Sequence, residues 1–204
     1  MSVWRESGFT PDIAINLSAQ QFMSEALMEQ VVDTVSNSDI PPSRIIFEIT
    51  EGTFMKDPDL TIRIMHRMRS RGFRFSIDDF GTGFSSLSLL SRLPVFELKI
   101  DKSFLPPTIA DMDAKNPGAM VIKAILSLAH QLGLQITTEG VEHAFQIQEI
   151  MRLHSGGGLL FQGYHFSKPV GADAFRLWAQ SLEQARANAE KPLETTIAED
   201  DFQI

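Results

Sequence analysis

Short apolar or β-branched runs recur along the chain, separated by stretches whose apolar residues return every three to four positions. That alternation is what βα units in a parallel sheet require. The runs predict strands at residues 12–17, 45–50, 74–79, 96–101, 134–139 and 159–164. Several intervening helices carry their own start and stop signals. Asp57 is an N-cap with Pro58 at the first helical position, Leu60, Ile64 and Met68 form one apolar stripe, and Gly72 ends the helix. Asn116 and Pro117 repeat the start signal, Val121, Ala124, Ile125, Leu128 and Leu132 form the inward face, and Gly133 is the stop. Ser24 caps a helix that turns Leu27, Val31 and Val35 inward, and another helix is expected from residue 171 to about 189. Residues 191–204 are polar and acidic without periodicity and are expected to form a flexible tail, which leaves residues 1–190 as one domain.

Composition narrows the chemistry. A length of 204 residues supports one domain with a substantial core and lies near the lower end for a β/α barrel. No apolar run is long enough to cross a bilayer, and the opening residues, with Arg5 and Glu6, hold no apolar secretory region, so a cytoplasmic protein without a membrane segment is expected. The chain has no cysteine, which confines any metal to oxygen or imidazole ligands and favours hard cations such as Mg²⁺ or Mn²⁺. A net charge of -8 argues against binding a DNA or RNA polymer. A small phosphorylated ligand fits if metal ions supply the positive charge.

The strand ends carry the candidate chemistry. Asp78 and Asp79 close one strand and are followed by Phe80-Gly81-Thr82-Gly83. Successive strand residues point to opposite sides, so both acids reach one metal only where the strand gives way to a loop, which Gly81 and Gly83 are expected to provide. Taken alone, the pair reads more readily as a helix cap and a solvated acid in an ordinary turn. Asn16, Glu48, Lys99 and Glu139 stand at or near the ends of four other predicted strands. In a parallel barrel these ends share one face, so four acids, an amide and a lysine meet there. Such a cluster repels itself unless cations neutralise it. Lys99 alone would be a solvated edge residue, and Glu51 and Glu142 alone would be surface ion pairs. The five histidines show no paired metal spacing.

The runs Ile15-Asn16-Leu17-Ser18, Phe47-Glu48-Ile49-Thr50-Glu51, Asp78-Asp79-Phe80-Gly81-Thr82-Gly83-Phe84-Ser85-Ser86-Leu87, Leu98-Lys99-Ile100-Asp101, Glu139-Gly140-Val141-Glu142 and Gln162-Gly163-Tyr164 resemble the ordered motifs of EAL-type cyclic di-GMP phosphodiesterases. The resemblance implies a (β/α)₈-type, TIM-like barrel that hydrolyses cyclic di-GMP to linear pGpG with two Mg²⁺ or Mn²⁺ ions. It further implies that Asn16 and Glu48 serve one metal, that Asp78 bridges, and that Asp79 and Glu139 serve the other. Lys99 then contacts the attacking water and, with Glu139, forms the catalytic set. Glu51 and Thr82 support the Asp-Asp-Phe-Gly loop, and Asp101, Glu142 and Gln162 line the substrate site.

The family is named for a Glu-Ala-Leu tripeptide near the domain's opening, whose glutamate is a metal ligand. The chain is read as holding no such tripeptide, with the segment that carries the family's opening strands expected to be absent ahead of the Asn16 strand. The barrel is therefore expected to be incomplete at its N-terminal side, with unpaired edges that self-association or a partner chain would cover. Three readings follow: a phosphodiesterase whose missing ligand comes from a partner chain or an upstream segment, a catalytically inactive module that binds cyclic di-GMP or another protein, and a truncated remnant that folds poorly.

Overall fold

The structure, a computed structural model, describes residues 10–83, 87–111, 116–154, 156 and 158–189, with side chains through residue 182. Six strands form one parallel sheet: β1 (Ile13–Asn16), β2 (Ile45–Thr50), β3 (Arg74–Phe80), β4 (Glu97–Ile100), β5 (Gln135–Thr138) and β6 (Leu159–Phe161). They lie side by side in sequence order, each parallel to the next. A doubly wound sheet reverses its strand order near the middle, whereas an unbroken order is the winding of a β/α barrel. The fold is thus an incomplete TIM-like barrel. Among the described residues β1 and β6 pair on one side only, as the sequence predicts.

Laterally paired residues in a parallel sheet share a face, and here the two faces differ sharply. One carries Phe47 and Ile49 of β2, Phe75 and Ile77 of β3, Leu98 and Ile100 of β4 and Ile136 of β5, all in the main apolar cluster. Each fully buried aromatic or branched side chain stabilises by about 1.5–3 kcal/mol relative to exposure. The Phe47 ring stacks at a tilt on Phe73 and Phe75, with centroids 5.3 and 5.7 Å away. The other face carries Glu48, Ser76, Glu97, Lys99, Gln135 and Thr137, all polar. Glu97 accepts hydrogen bonds there from Gln135 Nε2 (3.0 Å) and Thr137 Oγ1 (2.6 Å).

The helices cover the apolar face. α1 (Ala19–Phe22) and α2 (Glu25–Ser36) follow β1, α3 (Glu51–Lys56) and α4 (Pro58–Ser70) follow β2, α5 (Leu87–Leu90) follows β3, α6 (Pro117–Leu132) follows β4, and α7 (Ala144–Leu153) follows β5. The expected caps are present: Asp57 accepts from Leu60 N at 3.0 Å, Asn116 from Gly118 N at 2.8 Å and Ser24 from Leu27 N at 3.3 Å. Gly133 ends α6 in the left-handed region at φ 67°. Helix α1 was too short to announce itself by periodicity; Ser18 and Gln21 form its capping box.

At the N-terminal ends of the strands, the Asp12 carboxylate bridges Arg44 (2.9 Å) and Arg74 (2.7 Å), and the Arg74 guanidinium lies 3.8 Å above the Phe96 ring. These contacts join the starts of β1, β2 and β3 and leave the C-terminal ends to the candidate chemistry. Residues 1–168 and 169–204 are separate compact units; α8 (Ala172–Ala189) belongs to the second. The tail expected at 191–204 lies outside the described residues. No helix among the described residues is long and apolar enough to cross a membrane.

Candidate functional site

The C-terminal strand ends bring together the residues that the sequence singled out. Asn16 ends β1 and is the register partner of Glu48, which is buried in β2. Lys99 on β4 is 4% exposed, in the interior of the sheet and not a solvated edge residue. Its Nζ lies 2.6 Å from Glu48 Oε1, 2.5 Å from Glu139 Oε1 and 3.4 Å from Asp78 Oδ1. Glu139 sits one residue beyond β5. One ammonium among these carboxylates relieves part of their repulsion and leaves the cluster anionic.

Asp78 and Asp79 reach the same side by a device that differs from the expected one. The strand does not yield to a loop at the aspartates but continues through Phe80. Ile77 pairs with Leu98 and Phe80 with Ile100, so β3 spends one more residue than β4 over the same span. This β-bulge breaks the alternation, and Asp79 adopts φ 52°, a left-handed conformation that Asp tolerates better than most residues. Phe80 thereby returns to the apolar core.

Glu51 opens α3 and is 4% exposed, so it is no surface ion-pair member; its Oε1 accepts from Gly81 N at 2.6 Å. A Cβ on Gly83 would stand 2.6 Å from Glu51 Oε2, so a side chain there would push that carboxylate aside. Gly81, at φ 99°, packs so closely on Phe104 and Ile125 that a side chain would meet both. Thr82 Oγ1 donates to the Asp79 carbonyl at 2.8 Å, securing the turn after the bulge. Residues 84–86 of this motif lie outside the described residues.

Beside the carboxylates is a cavity of about 390 Å³ lined by Asp79, Asp101, Lys102, Glu139, Glu142, Gln162 and Tyr164, among others. Asp101 follows β4 and accepts from Ser103 N at 3.0 Å. Gln162 follows β6 and accepts from Val141 N at 3.0 Å through its carbonyl. Glu142 is exposed and has no ion-pair partner among the described residues. Lys102 and Tyr164 were missed as site residues, although Lys102 adjoins one quoted motif and Tyr164 closes another.

The electrostatics follow from this crowding. Burial and the negative charges of Asp78 and Asp101 push the Asp79 carboxyl above its ordinary value. Burial also raises Glu139, against the pull of Lys99 and with help from Asp78 and Glu48. Burial opposes the charge on Lys99, but its hydrogen bonds to Glu139 and Glu48 prevail and raise its pKa. Asp101 is lowered: burial acts upward, and the bonds from Ser103 outweigh it.

Asp78, Asp79 and Glu139 each offer an oxygen within 4.8 Å of the others'. That donor set suits a hard divalent cation, since it is all carboxylate with room for water. No histidine joins a metal-type cluster among the described residues. The tripeptide Glu25-Ala26-Leu27 does occur, but it opens α2, where Glu25, with its side chain 61% exposed, pairs with Arg67 at 3.3 Å. It is a helix-surface feature, remote in kind from a strand-end ligand.

Residues 1–169 match the EAL domain family. The chain is 38% identical over 173 residues to the signaling protein YkoW of Bacillus subtilis, covering 85% of this chain and 21% of that protein. It is 38% identical over 174 residues to the bifunctional diguanylate cyclase/cyclic di-GMP phosphodiesterase MucR of Pseudomonas aeruginosa, covering 85% of this chain and 24% of that one. The chain therefore spans about a fifth to a quarter of the length of these relatives. A solved structure of the MucR phosphodiesterase in complex with c-di-GMP superposes with a TM-score of 0.73 at 38% identity, over 80% of this chain and 70% of that one. The EAL domain of DcpA from Mycobacterium smegmatis gives 0.76 at 32% identity, over 88% and 78%. With the order of strands, the paired aspartates on their bulge and the buried lysine all in place, the chain belongs to the EAL domain family.

Proposed function

We propose that this chain binds cyclic di-GMP across the carboxylate-lined mouth and takes part in its hydrolysis to linear pGpG with two Mg²⁺ or Mn²⁺ ions. The observation that carries the reading is the convergence of Asp78, Asp79 and Glu139, oxygen to oxygen within 4.8 Å, on the rim of the cavity. Asn16 and Glu48 would hold one ion, Asp79 and Glu139 the other, and Asp78 both. When bound, the ions neutralise the phosphate and ease deprotonation of the attacking water.

This chain's own residues do the rest. Lys99, anchored by Glu48 and Glu139, presents a hydrogen-bond donor where charge develops on the attacking oxygen. Glu51 and Thr82 hold the turn that fixes Asp79. Asp101, Glu142 and Gln162 offer polar groups to the nucleotide, and the carboxylates of the first two suit donor edges of guanine. The relatives named for cyclic di-GMP and the MucR complex support this ligand.

A second reading, a module that binds without turnover, is favoured by one observation. Among the described residues β1 pairs only with β2, so no strand-end carboxylate stands on the outer side of Asn16. Affinity for cyclic di-GMP and pGpG formation should be measured on one purified sample with Mn²⁺, then repeated with a family opening segment fused ahead of Met1. Binding by both proteins is expected, with turnover of the 204-residue chain on the order of 10²-fold slower, the cost of a displaced reacting group. Equal turnover would eliminate the binding-only reading, and no binding by either protein would sink the proposal itself.

A further inference from the structure

Resting on that reading, we infer that Gln146 is a positioning residue for the nucleotide end of the site, clasping the loops after β4 and β5 so that Glu142 faces the cavity. Gln146 lies in the first turn of α7 and is 6% exposed. Its Oε1 accepts from two successive backbone amides, Glu142 N at 2.9 Å and His143 N at 3.0 Å. Its Nε2 donates to the Pro106 carbonyl at 3.1 Å, forty residues away in sequence. A glutamine that only capped its own helix would accept from the residue ahead of the helix and leave its amide nitrogen to solvent. Here the second accepted bond and the donated one reach beyond the helix to the two loops that carry Asp101 and Glu142.

The surrounding backbone leaves the clasp little slack. Gly140, at φ 63°, lies so close to Lys102 that a Cβ would stand 2.5 Å from the lysine Cβ. Val141 is held on its other side by Gln162 and His165, at 3.0 Å each. Residues 140 and 141 are thus fixed by backbone packing, and Gln146 is the side chain that fixes 142 and 143.

Two measurements test this in the 204-residue chain. The first is amide hydrogen exchange at Glu142 and His143, which needs no nucleotide. Both amides are expected to be protected in the native chain and in Gln146→Glu, which keeps the acceptor oxygen while losing the donor to Pro106, and released in Gln146→Leu. The second is cyclic di-GMP affinity beside Mn²⁺ affinity. Gln146→Leu is expected to weaken the nucleotide on the order of tenfold, as loss of an outer supporting partner does, while Mn²⁺ binding stays within about twofold. In a Glu142→Ala background the same change should add little, because the clasp acts through Glu142. Unchanged exchange, or additive losses in the double variant, would overturn the inference. Exchange that follows the expected pattern in a chain that binds no cyclic di-GMP would support the clasp and overturn the proposed function instead.

Discussion

Replacing Lys99 with Met retains most of the aliphatic stem and removes the ammonium from the middle of the carboxylate cluster. At an effective dielectric constant of about 20, each of its two shortest contacts, 2.6 Å to Glu48 and 2.5 Å to Glu139, gains roughly 6 kcal/mol of Coulomb energy. Desolvating the charges returns several kcal/mol per ion, so the net loss on removing one partner of such a buried set is about 3–5 kcal/mol. For a domain of this size that lowers the melting temperature by roughly 10 °C. The assay is thermal unfolding of both proteins in chelator and again in excess Mn²⁺. The variant should melt well below the native chain in chelator, and Mn²⁺ should narrow the gap by neutralising carboxylates that have lost their internal counter-ion. A shift under about 2 °C in chelator would refute the counter-ion role, and a large shift that Mn²⁺ leaves untouched would assign the loss to packing.

Asp79→Asn keeps a residue that tolerates the left-handed backbone while removing the charge, so Mn²⁺ affinity by calorimetry should fall at least about tenfold with little change in melting; equal heats would make the acid structural. Asp12→Asn should cost roughly 0.5–1 kcal/mol near neutral pH, because its carboxylate serves two arginines at a half-exposed site. Burial acts to raise the Asp12 pKa, but Arg44 and Arg74 prevail and hold it low, so its stabilisation is complete above its unfolded value and is lost as pH falls through the lowered one. Denaturant midpoints for the two proteins should therefore converge only in strong acid, and a constant gap down to about pH 2 would contradict this. Gly81→Ala should destabilise by about 1–3 kcal/mol in urea, from the positive φ and the contacts with Phe104 and Ile125; a change within about 0.5 kcal/mol would mean that the turn can shift freely.

The strands were legible because each run is short, β-branched and bounded, and the larger helices because Asp57-Pro58 and Asn116-Pro117 are strong start signals. The convergence of Glu48, Asp78, Lys99 and Glu139 also followed from strand ends sharing a face. Other features left no local trace. Adjacent aspartates look alike whether they precede a loop or occupy a bulge, since the extra residue is defined only against the partner strand β4. Gln146 was invisible for a similar reason: its cap position is His143, outside the usual Ser, Thr, Asp or Asn signature, and its third bond goes to a loop forty residues away. Glu97 sat in plain alternation, but a buried carboxylate satisfied by neutral side chains cannot be told from a solvated one by spacing.

The bulge in β3 has a consequence for how this site can be gained or lost. Ile77 and Phe80 keep their partners Leu98 and Ile100 because of one inserted residue. Deleting either aspartate would restore an even pleat with Phe80 still facing the core, so the sheet would close over the loss and fold. One carboxylate would remain where two had been. The acidic pair is therefore encoded as a change in chain length, and a single codon deletion would separate the scaffold from its chemistry more cleanly than most substitutions could.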